Sequence, residues 1–288
     1  MHLFECLTGL LWGRGMAKLT DLRLWRLSEC SNKKTLKIVP ERSMTMGDQV
    51  KTDNLAVCIL GMHRSGTSCL AGCLEERGLY LGDVDNGSRF NVKGNKENEE
   101  FRLLNEDILI ANGGNWGKIP EQITWTDEHR RRRDALIEGY AAVEAWGFKD
   151  PRAVLTLPFW TEALPDLRFI GTFRHPSAVV VSLSRRKKMM PETAPLDLWV
   201  AYNRRVLAQA DQYDVPMVCF DWDADVYAKA VNKAASDVGL GPAEGLDFFD
   251  ETIRTSNLSK EEAVNVGSEA MALYDELMAR ANAFYGTV

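Results

Sequence analysis

The strongest chemical signal in this chain is the octapeptide 61-GMHRSGTS-68, two glycines five residues apart followed by Thr67 and Ser68. The glycines allow a tight turn, in which successive backbone N–H groups and the start of a following helix can surround an anion. The spacing matches the phosphate loop GxxxxGK[ST], except that Thr67 stands where that motif has lysine. Arg64 inside the loop supplies cationic contacts instead, and ordinary ATP hydrolysis is disfavoured. His63 is placed either to donate to a transferring group or to hydrogen-bond the loop.

A loop of this kind needs a strand before it and a helix after it, and both are legible. Apolar 55-LAVCIL-60 ends at Gly61, and 67-TSCLAGCLEERG-78 follows, with Leu70 and Leu74 one turn apart and Gly78 as C-cap. Thr124 or Thr126 caps a charged helix over about 127–145, with Leu136, Tyr140 and Val143 on its apolar side. A short strand, 146–149, stops at Asp150-Pro151. A helix over 152–164, despite Pro158, leads to the apolar strand 167–173, which ends at Arg174. Helices fit 177–186 and 195–213, a strand fits 215–220, and one or two amphipathic helices close the chain over 259–284. Strands alternating with helices imply an α/β fold with a parallel sheet covered on both faces.

The 288 residues are 45% hydrophobic and 26% charged, with eight Trp, eleven Phe and seven Tyr, enough to build a sizeable core. A formal charge of -6 argues against broad nucleic-acid binding and leaves room for a local basic pocket. Residues 1–50 carry +3 of that balance and show no sustained period. They read as an N-terminal appendage with partial disorder, ahead of a catalytic domain over 51–288. Six cysteines, at 6, 30, 58, 69, 73 and 219, lack tight CxxC pairing, so a reducing, cytoplasmic setting is the default. Four histidines, at 2, 63, 129 and 175, form no metal-ligand motif, and no metal is expected. The longest apolar stretches fall short of the roughly 20 residues that span a bilayer, so no transmembrane segment is expected.

Four ordered features, 61-GMHRSGTS-68, 94-GNKENEEFRLLNEDIL-109, 148-FKDPR-152 and 169-FIGTFRHPSAVVVSLSRR-186, together resemble the P-loop sulfotransferases. Enzymes of that family use 3′-phosphoadenosine 5′-phosphosulfate (PAPS) and release 3′-phosphoadenosine 5′-phosphate (PAP). The resemblance spans about 54–220 and implies the P-loop nucleoside-triphosphate-hydrolase-like sulfotransferase fold. It assigns the 5′-phosphosulfate to Arg64, Ser65, Gly66, Thr67 and Ser68, and the 3′-phosphate to Arg174 and Ser182. It also implies an acidic base for the acceptor hydroxyl, a role to which the G-x-x-E spacing from Gly94 brings Glu97 nearest. Three neighbouring carboxylates, Glu97, Glu99 and Glu100, are expected to raise one another's pKa values, while Glu99 and Glu100 also suit a solvated helix start.

Lys93 and Lys96 either stabilise the departing phosphate or neutralise this acidic stretch. Lys149 and Arg152 flank Asp150-Pro151 at another strand end and reach substrate, reach the 3′-phosphate, or pair with Asp150 or an acceptor-loop carboxylate. Phe90, Phe101, Trp116, Trp125, Trp199 and Tyr202 are candidate walls of the acceptor cleft. The loop departs from the Lys-Ser-Gly-Thr-Thr-Trp form of phenol and steroid enzymes and is closer to bacterial and glycan-directed branches, which favours a carbohydrate or glycolipid acceptor. Two other readings stand beside sulfuryl transfer: an ATP-dependent small-molecule P-loop kinase, and a non-catalytic PAP-binding module offering a surface around 180–189. The oligomeric state stays open.

Overall fold

The computed structural model describes residues 54–84, 93–185, 191–241, 247–249 and 264–286. The chain divides into two units, Met1–Met46 and Gly47–Val288, and every described residue belongs to the second. The appendage expected over 1–50 lies outside the described residues.

Four strands, β1 (Leu55–Leu60), β2 (Ala145–Lys149), β3 (Arg168–Phe173) and β4 (Met217–Cys219), form one parallel sheet in the order β2-β1-β3-β4. The strand β1 lies inside the sheet and is buried on both faces, so its sequence is a continuous apolar run rather than an alternation. The helices between strands are α1 (Thr67–Glu75), α2 (Glu99–Ala111), α3 (Asp127–Glu138), α4 (Ala153–Ala163), α5 (Pro176–Ser184) and α6 (Pro195–Tyr213). After β4 come α7 (Ala224–Asp237) and α8 (Gly267–Tyr285). Two apolar cores flank the sheet. One joins α1 and α7 to Val57, Ile59 and Ile170; the other gathers α2, α4, α6 and α8 around Cys58, Leu60, Phe148 and Phe173.

Local chemistry explains where these helices start and stop. Gly78, at φ +86°, lets the chain turn after α1 while Leu79 N–H bonds back to the Leu74 carbonyl at 3.1 Å. Thr126 caps α3 in a reciprocal pair with His129: Thr126 Oγ1 accepts from His129 N–H at 3.3 Å, and His129 Nδ1 accepts from Thr126 N–H at 3.1 Å. Pro158 sits inside α4 without breaking it, because the Val154 carbonyl it cannot reach accepts from Gln209 Nε2 of α6 at 2.8 Å. The charged helix ends at Glu138, earlier than its expected end at 145, and three residues of the expected strand 215–220 pair as β4.

Candidate active site

In a sheet of order β2-β1-β3-β4 the chain leaves β1 toward β2 and leaves β3 toward β4, so the loops at their carboxyl ends part and open a crevice. The loop 61–66 occupies that position. Arg64 and Gly66 both take left-handed backbone, at φ +70° and +88°. Ser65 N–H bonds to the Met62 carbonyl at 3.2 Å, and Thr172 Oγ1 of β3 donates to the Ser65 carbonyl at 3.2 Å. A side chain at Gly66 would meet the Phe220 ring at 2.2 Å, so only glycine lets the loop lie this close to the end of β4. The helix α1 begins at Thr67 with no side-chain cap, leaving its first N–H groups for a ligand. Ser65 Oγ is buried with no hydrogen-bond partner among the described residues.

A cleft of about 120 Å³ opens beside this loop. The loop and α1 contribute His63, Arg64, Thr67 and Ser68; the segment before α2 contributes Asn95 and Glu97; the end of β2 contributes Lys149, Pro151 and Arg152. Trp116 and Leu183 complete the lining. Ser68 Oγ donates to the Asn95 carbonyl at 2.8 Å and ties the acidic segment to the loop. Lys149, with a side chain 1% exposed, donates from Nζ to Glu97 Oε1 at 2.7 Å. Trp116 lies 4.6 Å from the His63 ring, centroid to centroid, and its carbonyl accepts from Tyr202 Oη at 3.0 Å.

Behind the cleft Asp150 is fully buried. Its Oδ1 accepts from Arg152 N and Nη1, at 3.2 and 2.9 Å, and its Oδ2 accepts from Asn105 Nδ2 at 2.9 Å. Burial pushes the Asp150 carboxyl above the ordinary range, and the charge of Arg152 opposes that shift. Asn105 Oδ1 is in turn held by Thr156 Oγ1 at 2.7 Å and Trp160 Nε1 at 2.9 Å.

Seven of the expected site residues, His63, Arg64, Thr67, Ser68, Glu97, Lys149 and Arg152, therefore line one cleft. Ser182 accepts from Arg64 Nε at 2.8 Å, which joins α5 to the loop. Arg174 stands at the end of β3, donates from Nε to Asp221 Oδ1 at 3.1 Å and lies over the Phe220 ring at 5.0 Å. Lys96 pairs with Glu75 at 2.8 Å and does not line the cleft; Lys93 donates to the Phe248 carbonyl at 2.6 Å.

The mutual repulsion expected of the three carboxylates does not govern Glu99. A hydrogen bond from Arg102 holds its carboxyl below the ordinary range, because Glu99 faces along α2 while Glu97 faces Lys149. Most of the expected aromatic walls are core. Phe101 stacks on Phe148 at 4.6 Å, Trp199 donates from Nε1 to the Arg174 carbonyl at 3.1 Å, Tyr202 is buried, and Trp125 packs edge-on against Phe159. Phe90 and residues 186–190 of the basic run lie outside the described residues.

No family model matches the chain, and neither does any curated protein. Three chains among the solved structures do. One is titled as a sulfotransferase domain of the Synechococcus PCC 7002 olefin synthase. It is 16% identical, with a TM-score of 0.41, over 85% of this chain and 100% of that one. Among the described residues no group of three His, Cys, Asp or Glu side chains is placed to hold a metal ion, and no helix is long and apolar enough to cross a membrane.

Sequence reasoning passed over Asn95, Pro151 and Leu183 in the cleft, and the clamp of Thr156 and Trp160 on Asn105. Asn105 did carry a signal: it is a polar residue on the apolar face formed by Phe101, Leu104 and Ile108, where a buried amide needs partners.

Proposed function

We propose that this chain is a PAPS-dependent sulfotransferase that transfers a sulfuryl group to an acceptor hydroxyl and releases PAP. The observation that carries the reading is one cleft shared by an anion loop that has Thr67 at the phosphate-loop lysine position and Arg64 as its cation, and by the Glu97–Lys149 pair at 2.7 Å. The unpartnered Ser65 Oγ and the uncapped start of α1 suit the donor's charged end.

PAPS, when bound, supplies an already activated sulfuryl group, so the remaining tasks are positioning, proton removal and charge stabilisation. Arg64 and the loop N–H groups face the negative end of the donor, with Ser182 fixing Arg64 Nε. Arg174, its Nε held by Asp221, and Ser182 serve the 3′-phosphate. Glu97 takes the acceptor proton, and Lys149 holds the orientation of its carboxylate. Trp116 offers an apolar wall to a sugar ring, in keeping with a carbohydrate or glycolipid acceptor. The four described cysteines are free thiols, which accords with a cytoplasmic setting.

Calorimetric titration of the purified chain with PAP, against ATP plus Mg²⁺, tests this reading. Selective PAP binding is the expected result. Selective ATP binding would make the chain a kinase, and binding of neither would remove the proposed donor site.

A further inference from the structure

Arg152 is a nine-tenths buried cation in the cleft whose hydrogen bonding is incomplete. Its side chain is 9% exposed; Nη1 donates to Asp150, yet Nε is buried with no acceptor among the described residues. A buried N–H without an acceptor costs free energy, and an arginine so placed has a use for an oxygen ligand. Nε and Nη2 form one edge of the guanidinium, a pair of parallel donors matched to two oxygens of a carboxylate or phosphate.

The side chain is also fixed in direction. Asp150, which holds Nη1, cannot turn, because Asn105 occupies its second oxygen and Asn105 is itself clamped by Thr156 and Trp160. The other two cleft cations have partners already: Lys149 holds Glu97, and Arg64 holds Ser182. Arg152 enters from the end of β2, three residues after Lys149, and lies near enough to Glu97 to feel its charge, whereas the anion loop enters from β1.

We infer that the acceptor carries an anionic group, a carboxylate or a phosphate ester, near the hydroxyl that is sulfated, and that the Nε–Nη2 edge of Arg152 grips it. This rests on the sulfotransferase reading of the cleft, in which Glu97 faces the acceptor. Arg152 is then a specificity-determining residue, and a neutral alcohol of the same shape leaves its buried edge unmatched.

The test compares three sugars of shared ring shape: methyl glucoside, methyl glucuronide and glucose 6-phosphate. Each is titrated into the full chain with and without saturating PAP, for the wild type and for Arg152→Lys. Lysine keeps the charge opposite Asp150 and removes the fork, and a thermal melt checks that the variant is folded. At least one anionic sugar should bind about tenfold tighter than methyl glucoside, the size expected of a charge-assisted bidentate contact. That preference should fall to about threefold or less in the variant. Which anionic sugar gains more separates a carboxylate from a phosphate ester. Equal binding of the three, binding of none, or a preference that survives Arg152→Lys overturns the inference. Failure of PAP to bind removes the sulfotransferase reading separately, since the titrations without nucleotide still score the anion grip.

Discussion

Glu97 presents one carboxylate oxygen to Lys149 at 2.7 Å, and in the proposed function the other takes the acceptor proton. A glutamine at this position can still accept the lysine hydrogen bond through its amide oxygen, so the local packing survives while proton removal does not. Glu97→Gln should therefore lower kcat by about 10²–10⁴, the usual contribution of a positioned general base, and change PAP affinity little. Steady-state kinetics paired with calorimetry would check this. Preserved turnover would move the base to His63, Glu99 or Glu100, of which His63 shares the cleft and lies against Trp116.

At the scale of elements, the loop depends on the end of β4, a strand far from it in sequence. Gly66 combines φ +88° with a Phe220 ring where its Cβ would be, so Gly66→Ala is strained twice. Left-handed backbone and overpacking together should cost about 2–4 kcal/mol, read from urea unfolding. Adding Phe220→Ala relieves the steric part alone, so the double variant should be less destabilised than the sum of the two single ones; strict additivity would refute the contact. Neighbours in sequence made the loop legible: glycines, an apolar strand and an i, i+4 helix all sit within 55–78. Two features escaped a reading of the sequence. One is the helix α7, although Tyr227, Ala230, Val231 and Ala234 recur at helical spacing and are all buried, so its signal is present in the sequence. The other is the pairing of Arg174 with Asp221, 47 positions away, which no local spacing encodes; an acceptor-loop carboxylate is among the expected partners of Lys149, but spacing does not single out Glu97, 52 positions away.

Over the whole molecule, the arginines at 130–133 look like a polyanion-binding stripe, but the fold engages each of them with carboxylates. Arg131 pairs with Glu128 on its own helix, Arg132 with Asp107 of α2, and Arg130 and Arg133 with Glu162 of α4. Glu162 accepts from Arg130 Nε at 2.7 Å, Trp125 Nε1 at 2.9 Å and Arg133 Nη1 at 3.2 Å, and so binds α4 to α3 and to the segment before it. These contacts, the hydrogen bond from Arg130 above all, hold its carboxyl below the ordinary value of 4.5. A carboxyl whose pKa is lower in the folded than in the unfolded chain gives stability that is complete above the unfolded value and is lost as pH falls through the folded one. Glu162→Gln lacks that titration. The gap in urea midpoint between wild type and variant should be level above about pH 5.5 and narrow steadily on acidification. A gap of constant width down to pH 3 would mean that Glu162 acts through packing alone, and that the arginine helix is joined to α4 by something other than charge.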